Sequence, residues 1–155
     1  MNMSMKIENA ELIDLPAILE LQKLCYQENA ERYHDYKIPP LMQTIDELKD
    51  EFKSCLILKV MDDSKIIGSI RAYEKTDVCY IGRVIVHPDF QNKGIGKKMM
   101  MEIENRFPSS AKFELFTGFK DEKNIYFYSK LGYTIFKEES LGAKVKLVYF
   151  EKIRT

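Results

Sequence analysis

Val84-Ile85-Val86-His87-Pro88-Asp89-Phe90-Gln91-Asn92-Lys93-Gly94-Ile95-Gly96-Lys97-Lys98 reads as a strand, an abrupt stop, a loop with two glycines and the opening of a long helix. The apolar, β-branched run ending at Val86 closes a strand over Val78–Val86, and His87-Pro88 halts it because proline has no N–H for a ladder. Beyond the loop, Ile95, Met99, Ile103 and Phe107 recur at the spacing of one helix face, so a helix is predicted over Gln91–Phe107, stopped by Pro108. N–H groups at a helix start lack intrahelical partners and carry the positive end of the dipole. Gly94 and Gly96 have no side chains to keep a diphosphate from those donors, and Lys93, Lys97 and Lys98 add positive charge. Other phosphate loops fit less well: Lys97 is followed by Lys98 rather than Ser or Thr, and a dinucleotide fingerprint needs glycine where Met99 stands. The plainer alternative is a junction whose glycines only allow close packing.

Outward from this stretch, Lys6-Ile7-Glu8 reads as a first strand. Asp14 and Pro16 open a helix to about Gln27, with Leu15, Ile18, Leu19, Leu21, Leu24 and Cys25 as its apolar face. Glu28 to Gln43, charged and carrying Tyr33, Tyr36 and Pro39-Pro40, reads as a long loop with room for a helical turn. Thr44-Ile45-Asp46-Glu47 is a capping box, which starts a helix over Ile45–Phe52. Cys55–Met61 and Ile66–Glu74 read as a hairpin, and Phe113–Thr117 as a strand. Asn124–Leu131 reads as a short helix capped by Gly132, before a final strand pair over Thr134–Lys137 and Lys144–Lys152. The order predicts an α/β fold: a mixed, mostly antiparallel sheet flanked by helices. The last two strands offer an edge for a homodimer.

The 155 residues fit one domain, 1–155, with no repeat or linker. Twenty-four basic residues balance 24 acidic ones, which argues against a nucleic-acid partner, since such affinity comes largely from neutralising phosphates. No apolar run approaches the roughly 20 residues of a membrane span, and the start MNMSMKIENAELIDL lacks the pattern of a secretory signal. A cytoplasmic protein without membrane contact is expected. Cys25, Cys55 and Cys79 are scattered in apolar segments and read as buried free thiols, with no metal site.

A second motif, Asn124-Ile125-Tyr126-Phe127-Tyr128-Ser129-Lys130-Leu131-Gly132-Tyr133, completes the pattern. Gln-x-x-Gly-x-Gly after a Val-His-Pro strand end, then Asn-x-x-Phe-Tyr-x-x-x-Gly-Tyr, resembles the GCN5-related N-acetyltransferase (GNAT) family. The resemblance implies acetyl-coenzyme A as cosubstrate and an amine of a small molecule or peptide as acceptor. It implies a cofactor cleft between the Val78–Val86 and Phe113–Thr117 strands. By the same carry-over Gln91, Asn92, Lys93, Gly94, Ile95, Gly96 and Lys97 cradle the pyrophosphate, while Val84, Ile85 and Val86 accompany the pantetheine arm. Asn124, Phe127 and Lys130 flank the cofactor, and Tyr128 stands beside the thioester sulfur.

The chemistry then follows. An alkylamine, with a pKa of about 10.4, must lose a proton before it attacks the thioester through a tetrahedral intermediate. Orientation in the site contributes on the order of 7–11 kcal/mol in favourable cases. A main-chain N–H near Val86 suits the oxyanion, and Tyr128 suits the acid that protonates the departing thiolate. Where the family often carries a carboxylate or histidine, this chain has Tyr80, with Gly82 two residues on. A water held by Tyr80, with Glu74 or Glu114 as distant acceptor, is the expected proton route. The missing base keeps a rival open, a non-catalytic acyl-coenzyme A sensor. Cys79 is expected on the face opposite Tyr80, Arg83 toward solvent or a carboxylate, and His87 in the turn. Met99, Met100 and Met101 are expected to pack. Glu28, Glu31 and Asp35 are candidates to attract a cationic amine, with Tyr33 or Tyr36 against its carbon skeleton.

Overall fold

Strand and helix periods place the apolar residues on both faces of one sheet. The computed structural model describes residues 5–154; Met1–Ser4 and Thr155, the ends of the expected domain, lie outside the described residues. Its strands are β1 (Met5–Asn9), β2 (Leu56–Asp62), β3 (Lys65–Lys75), β4 (Val78–Val86), β5 (Lys112–Gly118), β6 (Thr134–Leu141) and β7 (Val145–Ile153). Its helices are α1 (Leu15–Tyr33), α2 (Pro39–Met42), α3 (Ile45–Phe52), α4 (Ile95–Arg106) and α5 (Glu122–Lys130). The sheet order is β1-β2-β3-β4-β5-β7-β6, and every neighbouring pair is antiparallel except β4 and β5. Alternate residues face two cores. Leu58 and Val60 join Met99, Met100 and Ile103 of α4, whereas Ile57 joins Leu15, Ile18 and Leu48 of α1 and α3.

The cleft arises from the one parallel pair. β4 and β5 are in register only at Val78–Lys112, Cys79–Phe113 and Tyr80–Glu114, and beyond Tyr80 the two strands part. A bulge in β4 lies just past that point. Arg71 stands opposite Gly82 and Ser69 opposite Ile85, so Ile70 alone faces both Arg83 and Val84. Arg83 takes a left-handed φ of 50°, and such an insertion bends its strand.

Several boundaries differ from expectation for identifiable reasons. The expected Glu28–Gln43 loop is helix as far as Tyr33, because Ala30 and Tyr33 continue the buried stripe while Arg32 pairs with Glu28 at 3.1 Å outside it. Within α1, Leu24 is half exposed and Gln22 is fully buried, the reverse of a simple apolar stripe. Gln22 is accommodated by bonds from its Nε2 to the carbonyl of Pro40 and to Gln43 Oε1, both 2.9 Å, and by accepting from Arg71. The α4 helix starts at Ile95 rather than Gln91: Gln91 is extended, and Asn92 and Gly94 have φ of 63° and 82°. Met101 is exposed, unlike Met99 and Met100. Of the last two strands only β6 is an edge, since β7 lies between β5 and β6. Among the described residues, no helix is long and apolar enough to cross a membrane.

Candidate active site

A cavity of about 360 Å³ opens at the front of α4, between α1, the end of β4 and α5. Val84, Ile85 and Val86 form its strand wall. Gln91, Asn92, Gly94, Ile95, Gly96 and Lys97 form the floor, and Asn124, Phe127 and Tyr128 the side. The N–H groups of Ile95, Gly96 and Lys97 donate to no described residue, as the first turn of a helix dictates. The two glycines act differently. A Cβ on Gly94 would meet nothing within 4 Å, and its φ of 82° disfavours any side chain. A Cβ on Gly96 would press on the Phe127 ring at 3.1 Å, so Gly96 serves close packing of α4 on α5. Gly94 leaves the approach to the amides open, and this niche has the donors and space that a pyrophosphate requires.

Two of the expected cofactor residues stand apart from this cavity. Lys93 holds its Nζ over the Phe90 ring at 5.3 Å, and Lys130, exposed, holds its own over Tyr126 at 5.5 Å. Neither lines the wall; each ammonium rests over an aromatic ring instead. Lys123, not singled out in the sequence, does line it, with Nζ 3.4 Å from Gln91 Oε1.

The cavity continues inward. A second space of about 270 Å³ shares Tyr26, Asn29, Val84, Asn124 and Tyr128 with the first. A third, of about 870 Å³, shares Ile81, Gly82, Arg83, Leu115 and Phe116 with the second. Together they make one channel along the gap between β4 and β5. Tyr128, buried in α5, borders the first two spaces, and its hydroxyl has no hydrogen-bond partner among the described residues. Burial pushes its phenol well above the ordinary value near 10, so the proton is held at neutral pH. Asn124 is fixed by the helix cap: its N–H and its Nδ2 donate to Asp121 at 3.1 and 2.7 Å.

On the far side, Tyr80 stacks on Tyr73 with ring centres 5.2 Å apart, and both line the third space. Glu114 lines it too and pairs with Lys112 at 3.0 Å, whereas Glu74 lines none of the three and accepts from Ser110. The expected proton route therefore loses Glu74. Cys79 is fully buried off the channel and burial raises its thiol pKa to about 12. The cysteine that borders the first space is Cys25, brought there by α1; its Sγ donates to the Val86 carbonyl at 3.3 Å and burial raises its pKa to about 11. Neither is a thiolate at neutral pH, and the protonated thiol is a weak nucleophile. His87 accepts from the Asp89 N–H at 3.1 Å, within the turn as expected.

The acceptor-side expectations are met only in part. Glu31 and Asp35 border none of the three spaces; Glu28 borders the first, already paired with Arg32. Tyr33 borders the second space and accepts from the Lys120 N–H at 2.9 Å, while Tyr36 is exposed and borders none. Arg83 faces the channel rather than solvent, which sequence alternation missed because the bulge reverses the face. A glycine inside a strand, here Gly82, is the signal that pointed to it.

The splayed strand pair thus leads to a helix start whose open amides can receive an anionic group. The family model of the acetyltransferase (GNAT) family matches residues 15–133, and the chain belongs to that family. Among solved structures, it is similar to a PaiA N-acetyltransferase from Thermoplasma acidophilum in complex with coenzyme A, at 20% identity and a TM-score of 0.79, covering 98% of this chain and 100% of that one. An N-acetyltransferase from Staphylococcus aureus gives 17% identity and a TM-score of 0.78, covering 96% and 98%. A spermidine N-acetyltransferase chimera from Vibrio cholerae and hSSAT gives 17% and 0.74, covering 97% and 95%. At such identities the likeness shows the fold alone. No curated protein matches the chain.

Proposed function

We propose that the chain works as one N-acetyltransferase domain over residues 1–155, moving acetyl from acetyl-coenzyme A directly to an amine of a small molecule or peptide. The observation that carries this reading is the set of undonated amides at Ile95–Lys97, beside open Gly94, leading along β4 to the unpartnered Tyr128 hydroxyl. The cosubstrate supplies an electrophilic thioester carbonyl and a thiolate leaving group. The α4 amides, helped by Lys97 and Lys123, hold the pyrophosphate by dipole and charge. The β4 edge beyond Tyr80, free of β5, offers main-chain groups to the pantetheine amides and an N–H to the developing oxyanion. Tyr128 keeps its proton until it is passed to the departing sulfur. Tyr80 orders the water that relieves the amine of its proton, with Glu114, its partner in register on β5, as final acceptor. Direct transfer is favoured over an acyl-enzyme because burial raises the thiols of Cys25, Cys55 and Cys79 alike. Three free thiols, Cys25, Cys55 and Cys79, suit the reducing cytoplasm.

Calorimetry with coenzyme A and an amine panel read by thiol release test the reading. Coenzyme A should bind and at least one amine class should turn over. Absent coenzyme A binding removes the reading, and binding without turnover on any amine replaces it with the sensor.

A further inference from the structure

Arg83 lines the channel, and the proposed reaction leaves it without a task. It borders the second and third spaces and not the first, so it lies beyond Tyr128 on the side away from the α4 amides. Its Nε is buried without a hydrogen-bond partner, and among the described residues it makes no ion pair. Its guanidinium carbon lies 5.9 Å from the centre of the Tyr26 ring. Arg71, the other guanidinium lining the third space, has Glu51 at 2.6 Å, Gln43 at 3.4 Å and Gln22.

The charges around that third space are unequal. Its two carboxylates are both engaged, Glu51 by Arg71 and Glu114 by Lys112, which Glu151 shares at 3.2 Å. The remaining cations are Arg83 and Lys137, the latter resting on the Tyr149 ring at 4.3 Å. The acceptor end of the channel thus carries unneutralised positive charge in a partly desolvated wall. A partly covered cation with an orphaned Nε gains from a counter-charge, and a planar guanidinium is matched by a carboxylate that bonds it through two parallel contacts. A polycation would meet repulsion here.

We propose that the acceptor is a small amine that also bears a carboxylate, with Arg83 gripping the carboxylate while the amine points back toward Tyr128. This rests on the amine-acetyltransferase reading above. The left-handed bulge at Arg83 turns that side chain into the channel, and the stacked Tyr73 and Tyr80 form an apolar wall for the carbon skeleton.

The test uses matched amines: amino acids and ω-amino acids of graded length, their neutral amides, and the same skeletons without the carboxyl group, with spermidine as a polycation. The best acid should exceed its amide in kcat/KM by on the order of 30-fold or more, mostly through KM. Arg83→Gln should collapse that ratio toward one, and Arg83→Lys should restore part of it, a pattern that a merely structural arginine would not give. In parallel, N-acetylated acids and N-acetylated amides are titrated into the wild-type protein saturated with coenzyme A; only the acids should bind. Amides, decarboxylated amines or spermidine transferred as well as the acids would overturn this assignment and leave amine transfer standing. Equal binding of acids and amides, or binding of neither, would overturn it even if no amine turned over. Failure to bind coenzyme A, by contrast, strikes the underlying reading.

Discussion

Tyr128 and Gly94 carry opposite burdens, one a group supplied and the other a group withheld. Replacing Tyr128 by Phe removes only the hydroxyl, so kcat should fall by roughly 10²–10⁴-fold while coenzyme A affinity measured by calorimetry stays within about twofold. Equal rates would reduce Tyr128 to a packing residue between Phe127 and Phe150, whose ring centres lie 5.2 and 5.7 Å away. Gly94→Val places a branched side chain in the open mouth and forces a left-handed φ on a β-branched residue. Coenzyme A affinity should fall by about tenfold or more, at a stability cost of roughly 1–2 kcal/mol read from urea unfolding. These positions were legible because each sits in a short motif whose spacing is local. Cys25, Tyr26 and Lys123 were not, since they reach the cavity through packing of α1 and α5 that no neighbouring residue announces.

At the scale of elements, the signals that proved reliable were those written in backbone chemistry. The capping box of α3 is present as read: Thr44 Oγ1 accepts from the Glu47 N–H at 3.2 Å, and Glu47 accepts from the Thr44 N–H at 2.8 Å. Thr44→Ala should lower stability by about 1 kcal/mol, seen as a shifted urea midpoint with unchanged slope. The errors came where tertiary partners overrule local pattern. The α1 helix runs six residues past Gln27 because Ala30 and Tyr33 find a buried surface, and it turns Gln22 inward because Arg71, Gln43 and Pro40 satisfy its amide. The α4 helix loses its expected first turn because Asn92 and Gly94 adopt left-handed conformations that no helix contains.

Across the whole molecule, one ion pair ties the entry to α1 onto the sheet: Lys59 Nζ lies 2.7 Å from Asp14 Oδ2, both side chains being largely covered. Burial works to raise the Asp14 pKa, but the bonds from Lys59 and the Glu11 N–H outweigh it and hold the carboxyl below 3.8; the same bond raises Lys59 above 10.5. The pair's contribution is therefore complete between those values. It is lost as pH falls through the lowered Asp14 value, and in alkali above 10.5. Asp14→Asn should lower the urea midpoint at pH 7, with the gap to wild type closing progressively below about pH 3.8. The sheet's mixed architecture was readable from the order of elements and the cleft between β4 and β5 from the family resemblance, but the residue at which they part was not, because the length of a strand does not reveal where its neighbour departs. That departure after Tyr80 has a consequence for isotope labelling. Along the second half of β4, amide protons aimed at β3 are shielded, whereas those aimed at the gap meet solvent. Deuterium uptake should thus divide into a slow and a fast set, with the bulge at Arg83 and Val84 interrupting their alternation, and added coenzyme A should slow only the fast set.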